Sequence, residues 1–409
     1  MNRKIWKALG IAVCMLALAA PRAMAKTYKV GTVTKFAEAV QEINKKSSDK
    51  INEIFLTQDI ILGGNPNEYT LYTLSRGETT IKGGGNKITI SNAGITVAKK
   101  GTVLNLGANG YDGTLTIDGK TSGGFVSVLE GATANMYENV TLQNWQFAGN
   151  ACVVIMGSDS VFNMDGGVIE KCSRAVMADS GTTFNMSGGE IRNCVSMNDG
   201  VGLYADNSTI NITGGIISGC EGRWGGGLYA DSSTVTITGG TISGCEGRWG
   251  GGLYAENSST IEISGGTISR CEVGAGGGLF VDSSTIRISG GIISECTTSD
   301  TGNGGGLYAK NSTIKITGGR IENNKAALGG GVALIGDTTF EDSITNWTVI
   351  GNEAYATGGV GGGIKLENGS MDVSAGSNRI YNNTADGHGA DIFLLNDSST
   401  IKLPNAANM

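Results

Sequence analysis

The pattern of apolar and polar positions repeats along the second half of the chain with a period of 25 or 26 residues, beginning at Gly200. Each unit contains three short segments of the types GLYA, STVTIT and GTIS, separated by Gly-Gly and by Asp-Ser or Asn-Ser pairs. Alternation of apolar and polar residues is typical of β-strands with one buried face. The pairs between the segments are typical of turns. Each repeat is therefore predicted to contain three strands.

Turns this short leave no room for crossover helices, so each repeat is predicted to form one coil of a stacked parallel β-helix. In one such strand Val235 and Ile237 face inward while the threonines face outward. Three inward ladders are predicted: Leu203, Leu228, Leu253, Leu279 and Leu307; Ile210, Val235, Ile261, Ile286 and Ile314; and Ile217, Ile242, Ile268, Ile293 and Ile321. We expect an all-β rod of about 12 to 13 coils, roughly 60 Å long at ~4.8 Å per coil.

The segment before the repeats has a different pattern. Four apolar residues follow helical spacing: Phe36, Ala39, Val40 and Ile43. This spacing predicts an amphipathic helix from Thr34 to Lys46, with Thr34 as its N-cap. Because the ends of a stacked rod expose apolar coils and strand edges, we expect the helix to cover the first coil. Residues 26–78 are predicted to form this N-terminal cap, a helix plus a strand, and residues 79–409 the β-helix.

The N-terminus has the pattern of a secretory signal peptide spanning residues 1–25. Basic residues precede an apolar run from Ala8 to Ala20, and Ala-Met-Ala follows at positions 23–25. The run is too short to span a membrane, so cleavage after Ala25 is predicted. No later apolar run approaches the length of a transmembrane helix. We therefore expect a secreted or cell-surface protein, with the periplasm as an alternative.

Composition and charge narrow the classes of function. Gly accounts for 68 of 409 residues and Pro for 3, which is typical of a chain dense in turns. Without residues 1–25 the chain has 26 basic and 37 acidic side chains, a net charge of −11. Phosphate binding needs a basic surface, so nucleic acid is not an expected partner. No cofactor is expected either.

The repeat units also resemble those of a known class. GGGLYA and GGGIKL occur together with apolar-x-x-Asn segments at 321–324, 349–352 and 380–383. These segments resemble the repeats of polymorphic outer-membrane proteins of the chlamydial type. More broadly, the chain is similar to right-handed β-helix proteins with the pectin-lyase-like fold, including the capping helix. The resemblance implies right-handed coils and a surface-exposed adhesin or passenger role.

One repeat position is occupied by cysteine in six successive copies and then by asparagine. The residues are Cys172, Cys194, Cys220, Cys245, Cys271 and Cys296, followed by Asn324, Asn352 and Asn383. We interpret them as an inward ladder of small, half-polar side chains. Disulfides between adjacent coils are an alternative that export favours, although in-register Cβ atoms lie too far apart. Metal binding is the weakest alternative, because CxxC pairs and histidine partners are missing.

An acidic column occupies another position: Asp179, Asp206, Asp231, Glu256 and Asp282, ending at Lys310. Stacked carboxylates suggest Ca²⁺, but Asp-Ser-Ser is ordinary turn chemistry in which Asp caps its own backbone. No metal site is predicted. The outward threonines also suggest an ice-binding face, but charged residues interrupt it at Glu262, Arg287 and Lys315, and β-propensity accounts for the threonines.

An enzymatic interpretation rests on the sole histidine. His388 lies in Gly-His-Gly, a tripeptide that polygalacturonases also use, but the Asp-Asp pair and Arg-Ile-Lys segment of that family are missing. His388 falls where other copies have Gly, which indicates a substituted turn residue. No catalytic residue is predicted.

The segment ISGCEGRWGGGLYA occurs twice without change, at 217–230 and at 242–255. Its Ile, Cys and Gly residues belong to the frame shared by all copies. Six residues exceed that frame: Glu221, Arg223, Trp224, Glu246, Arg248 and Trp249. In one interpretation they form a stacked platform that binds sugar rings or a protein partner. In the other, the tryptophans cover the rod's own corner while Glu and Arg pair across coils.

These patterns predict a secreted or cell-surface β-helix scaffold with an adhesive or structural role. Its loops would bind glycans or host and cell-surface proteins through several weak contacts. A carbohydrate-active enzyme, either a polysaccharide lyase or a glycoside hydrolase, is the alternative.

Overall fold

The computed structural model describes residues 25–45, 51–65, 68–119, 126–146, 151–340, 346–368, 370–372, 378–396 and 398–402. Residues 1–24 lie outside this part, so the signal peptide at residues 1–25 stays a prediction. The described residues form an all-β parallel solenoid of about 13 turns with one helix. The predicted fold class is confirmed.

The first face of the rod is a 13-stranded parallel sheet built from the segments of the GLYA type. Its strands are Thr70–Leu74, Ala93–Ala98, Val126–Leu129, Val153–Met156, Val176–Asp179, Leu203–Asp206, Leu228–Asp231, Leu253–Glu256, Leu279–Asp282, Leu307–Lys310, Val332–Ile335, Ile364–Glu367 and Ile392–Leu394. Neighbouring copies pair residue for residue, so that Leu203 lies beside Leu228 and Tyr204 beside Tyr229.

The second and third faces together form a 26-stranded sheet. The second face contains Lys26–Val30, Ile51–Leu56, Glu78–Lys82, Val103–Leu106, Thr133–Met136, Val161–Met164, Thr183–Met186, Thr209–Ile212, Thr234–Ile237, Thr260–Ile263, Thr339–Phe340, Ser370–Asp372 and Thr400–Lys402. The third contains Ile60–Gly63, Lys87–Ser91, Leu115–Asp118, Val140–Gln143, Val168–Glu170, Glu190–Arg192, Ile216–Ser218, Thr241–Ser243, Thr267–Ser269, Thr348–Ile350 and Arg379–Tyr381. Two long strands, Thr285–Ser294 and Thr313–Glu322, run through the corner and join the two faces.

The three predicted inward ladders are confirmed. Every member is buried, with at most 3% of its surface exposed. The alternation within a strand also holds, because Val235 and Ile237 are buried while Thr234 is exposed. The ladders merge into one continuous apolar core that runs along the rod.

Glycine pairs form the corner between the second and third faces because coils approach each other closely there. Gly240 has a φ of +77°, a conformation that side chains rarely adopt. A Cβ atom on Gly239 would lie 2.3 Å from the carbonyl oxygen of Thr213 in the preceding coil. The corner therefore excludes side chains at both positions.

The single described helix, α1, spans Val33–Lys45 and buries the four apolar residues predicted for its inner face. Its N-cap is Thr32 and not the predicted Thr34. The backbone N–H of Lys35 donates to Thr32 Oγ1 at 3.2 Å. Thr34 lies inside the first turn, since the helix begins one residue earlier than the apolar spacing indicates. The Phe36 ring packs edge-on against Tyr72 at 5.4 Å between ring centroids.

Strand stacking begins before the predicted boundary at residue 79. Lys26–Val30 pairs in parallel with Ile51–Leu56, and that strand pairs with Glu78–Lys82. The segment 26–78 thus contributes α1 and also the first strands of all three faces.

A third, six-stranded sheet lies where the sequence predicted loops, and we call it the edge sheet. Its strands are Glu246–Trp249, Glu272–Ala275, Thr297–Thr298, Lys325–Ala326, Glu353–Ala354 and Thr384–Ala385. The prediction of three strands per coil is therefore wrong in this part of the rod. The strands lack apolar alternation, and backbone hydrogen bonds to the adjacent coils define them instead.

Replacing an inward ladder residue should destabilise the rod far more than replacing its outward neighbour. We expect Ile242→Ala to lower the free energy of unfolding by about 2 to 5 kcal/mol, because it opens a cavity in a close-packed core. Thr241→Ala, one residue away, should change it by at most about 0.5 kcal/mol. Urea titration followed by circular dichroism measures both. Equal losses in the two variants would contradict the ladder assignment.

Candidate functional site

The two Glu-x-Arg-Trp segments stack directly on one another at the start of the edge sheet. Glu221 pairs with Glu246, and Trp224 with Trp249, as parallel bridges between adjacent coils. The next strand continues the glutamate column at Glu272. All six predicted residues are therefore brought together on one edge of the rod.

The glutamates and arginines border an open groove of about 620 Å³ that extends over several coils. Its lining consists of Met197, Glu221, Gly222, Arg223, Glu246, Gly247, Arg248, Glu272, Val273 and Ser299. Residues two apart in a strand point to the same side. The exposed carboxylates therefore form one wall, the exposed guanidinium groups form the other, and glycines form much of the floor between them.

The interpretation in which these charges pair across coils is wrong. None of Glu221, Arg223, Glu246 and Arg248 forms an ion pair with a residue in the part of the chain that the structure describes. The reason is the exact repeat, because stacking identical segments in register sets Glu on Glu and Arg on Arg. The guanidinium of Arg223 instead lies 4.6 Å from the centroid of the Trp224 ring.

The tryptophans point away from the groove and pack on the rod's own aromatic side chains. The rings of Trp224 and Trp249 stack with centroids 5.8 Å apart and planes at 17°. Trp224 also lies 5.6 Å from Tyr254, and Trp249 lies 5.9 Å from Phe280. Sugar stacking needs an open ring face, and here neighbouring rings occupy much of those faces. This geometry matches the interpretation in which the tryptophans cover a corner of the rod.

An aromatic column that the sequence analysis missed lies beside the tryptophans on the outside of the first face. Its members are Tyr204, Tyr229, Tyr254, Phe280 and Tyr308, with neighbouring centroids 4.6 to 5.6 Å apart. The guanidinium of Arg174 covers one end, 4.5 Å from the Tyr204 ring. The recurrence of Tyr or Phe after Leu in successive copies was the available signal.

Glu256, a member of the acidic column, is held by this aromatic column. Its carboxylate accepts hydrogen bonds from the hydroxyl groups of Tyr229 and Tyr254, the latter at 3.0 Å. Burial, and then the Glu256 charge, raises the pKa of Tyr254, while burial, and then the hydrogen bond to Glu256, raises the pKa of Tyr229. Both hydroxyl groups therefore stay protonated and remain donors.

The sequence suggested that aspartate side chains cap the turns along the acidic column. In the structure serine side chains cap these turns instead. The Ser233 hydroxyl donates to the Asp231 carbonyl at 2.6 Å and accepts the backbone N–H of Ser208 at 3.0 Å. Equivalent serines form a buried ladder with the same types of contact. The hydroxyls of Ser208, Ser259 and Ser312 donate to carbonyls of their own turns, and those of Ser259, Ser284 and Ser312 accept backbone N–H groups from the preceding coil. The Asp231 carboxylate accepts from Ser232 and Asn257, both at 2.9 Å.

The cysteine column is an inward ladder, as predicted. Seven described cysteines are buried free thiols, including Cys152. Each thiol of the column donates to the carbonyl two residues before it, for example Cys296 to Ser294 at 3.3 Å. Asn324 continues the column, where its Oδ1 accepts the N–H of Cys296 at 3.0 Å.

The remaining candidates from the sequence are His388 and a metal site. His388 is exposed in a turn, where its carbonyl accepts the N–H of Gly361 at 3.2 Å. Within the described ranges, no group of three or more His, Cys, Asp or Glu side chains is placed to hold a metal ion. The same part of the chain has no helix of the length and apolar character required to cross a bilayer.

Comparison with known proteins places the chain by its fold. The sequence model of a family described as "Right handed beta helix region" matches residues 151–341 and 227–406, which together cover more than half of the chain. Among curated proteins and among solved structures, no match was found.

The cysteines should be unreactive in the folded protein. We expect iodoacetamide to modify none of the seven in native protein and all seven after unfolding, because burial blocks access of the reagent to every one of these thiols. Intact mass measures both states. A folded protein lighter by about 2 Da per cysteine pair would show disulfides and contradict the ladder of free thiols.

Asp206 should destabilise the protein near neutral pH. Burial, and then the charges of Asp231 and Asp179, raises its pKa above the usual aspartate value. An acid whose folded pKa is raised lowers stability above that pKa, and the loss disappears as pH falls through it. We expect Asp206→Asn to raise the free energy of unfolding at pH 7 by a few tenths of a kcal/mol, allowing for solvent screening, with no gain near pH 3.

Asp282→Asn is the matched control in the same column. The Asp282 carboxylate lies 3.5 Å from the Lys310 ammonium, so its removal should lower stability or leave it unchanged. Thermal unfolding of both variants at pH 7 and pH 3 measures the difference. Equal effects of the two substitutions would show that the stacked carboxylates do not repel each other.

Proposed function

Since the chain belongs to the right-handed β-helix family, we propose that it is a secreted or cell-surface scaffold whose edge groove binds a partner. Export is proposed from the signal-peptide pattern of residues 1–25. Membership of this family supports the role of scaffold. Adhesion is a more specific part of the proposal and rests on the groove.

One observation carries the binding role. The groove gathers the charged side chains that exceed the repeat frame, and none of them forms an ion pair with described residues. Glu221, Glu246, Arg223 and Arg248 are exposed and make no ion pair with described residues, whereas the apolar, serine and cysteine columns hold the coils together. Unpaired charges in rows on a stiff scaffold favour many weak ionic contacts with a partner over turnover of a substrate.

The test is binding by a pair of matched variants. Arg223→Gln with Arg248→Gln removes two charges from the groove while keeping side-chain length. Arg287→Gln with Lys315→Gln removes two charges from the second face, where these residues stack in register. Surface plasmon resonance measures each protein against immobilised glycans and extracellular proteins.

We expect the groove variant to lose at least about tenfold in affinity for whatever the wild type binds, because charge-assisted hydrogen bonds are lost. The second-face variant should bind like the wild type, and both should melt like it. Equal losses of affinity in the two variants would contradict the proposal that the groove is the binding site. New reducing or unsaturated ends that vanish in His388→Ala would instead support the carbohydrate-active enzyme.

A further inference from the structure

The groove walls are two parallel rows of charge that follow the rod axis. Glu221, Glu246 and Glu272 occupy successive coils of one row. Arg223 and Arg248 occupy the other, and the backbone N–H of Arg248 donates to the Arg223 carbonyl at 2.7 Å. Within the glutamate row the spacing is ~4.8 Å, and in the strand Glu246–Trp249 the two rows lie ~6.6 Å apart, or two residues along the strand.

The charges of these rows form no ion pair with the described residues of one copy of the chain. Like charges directly opposite one another on paired strands are destabilising. Further along the glutamate column, basic and acidic residues are neighbours. Lys325 lies beside Glu353, and their side chains form an ion pair at 2.8 Å. In the duplicated coils no described residue forms an ion pair with either row, and the charge of Arg223 acts on Asp199 without an ion pair between them. Direct ionic contacts with these rows are therefore open to a partner.

The coil that precedes the charged rows is apolar on the same edge. Val195 pairs with Glu221 and is 57% exposed, and Met197 borders the groove with 92% of its surface exposed. Exposed apolar side chains that lie together beside polar residues are a feature of interaction surfaces. The edge thus presents one apolar layer followed by two charged layers.

We propose that the groove pairs with the same groove of a second copy of this chain, the two rods lying side by side and pointing in the same direction. This proposal rests on the proposed function and names the partner of that site. A two-fold axis parallel to the rods sets the glutamate row of each copy against the arginine row of the other. Glu221 then faces Arg223 of the second copy, and Glu246 faces Arg248, each twice. Val195 comes close to Met197 of the second copy.

The spacing of the rows favours a second β-helix over an extended peptide. Side chains on one side of an extended strand recur every ~6.6 Å, which does not match rows with a ~4.8 Å repeat. Another stacked rod has that repeat and matches every layer. The groove lining runs over about five coils, from Met197 to Ser299, which is a small surface for a stable interface and favours weak association. Dimers should therefore form at high protein concentration and dissociate as salt increases.

The test uses two complementary charge variants of the full mature chain. One carries Glu221→Arg and Glu246→Arg, so both rows are basic, and the other carries Arg223→Glu and Arg248→Glu, so both are acidic. Sedimentation equilibrium measures the association of each protein alone and of the two mixed. The second-face variant Arg287→Gln with Lys315→Gln is the control, and thermal melting checks that each variant folds.

We expect the wild type and the control to self-associate equally. Each charge variant alone should associate at least about tenfold more weakly, and an equimolar mixture should recover association. A chain carrying all four substitutions has its rows exchanged, so it should pair with itself but not with the wild type. Pairing of that chain with the wild type in preference to itself would mean antiparallel rods and would overturn the proposed arrangement.

Self-pairing and the proposed function can fail separately. A wild type that stays monomeric at low salt and high concentration would overturn self-pairing. If groove variants of that monomer still lost binding to glycans or extracellular proteins, the groove would remain a binding site for a different partner.

Discussion

In-register parallel stacking of the coils is the constraint on which the rest of this molecule depends. Each residue lies about 4.8 Å from its counterparts in the coils above and below, so every position along a coil becomes a column. A side chain must therefore be compatible with copies of itself. Isoleucine, serine, cysteine, asparagine and tyrosine satisfy this condition through packing, hydrogen bonds or ring stacking.

Charged side chains do not satisfy this condition, and the columns that contain them differ in how the repulsion between like charges is relieved. Some columns alternate in sign, as at Lys325 and Glu353. The Glu256 carboxylate is stabilised by hydrogen bonds from the hydroxyl groups of two tyrosines. Glu221 and Glu246 receive neither treatment, although they repeat without change. That contrast, more than any single distance, marks the edge groove as the part of the surface not explained by the fold.

The sequence predicted what depends on periodicity within a strand. Ile242 and Val235 alternate with polar residues, so their burial could be read directly, and the period of the repeat gave the number of coils. The edge sheet could not be predicted, because Glu246–Trp249 becomes a strand only through backbone bonds to adjacent coils. The aromatic column was missed for a related reason. Tyr229 alternates with buried Leu228 and so reads as a surface residue, but neighbouring rings cover it to 5% exposure.

The serine cap shows the same limit at the scale of one side chain. Asp231 and Ser233 are both residue types that favour turns, and only contacts with the neighbouring coils decide which of them caps the turn. The Ser233 hydroxyl donates to the carbonyl of its own turn and accepts a backbone N–H from the preceding coil, whereas the Asp231 carboxylate accepts from the side chains of Ser232 and Asn257. Sequence alone places both residues at the turn without saying which one caps it.

The exact repeat of fourteen residues determines how recombination can change the length of the protein. A solenoid coil contacts only its two neighbours, so an unequal crossover between the two copies of this segment inserts or deletes one whole coil and leaves all others in register. Each such event lengthens or shortens the rod by ~4.8 Å and adds or removes one Glu and Arg layer of the groove. Rod length and edge charge are thus linked, and both change in whole-coil steps.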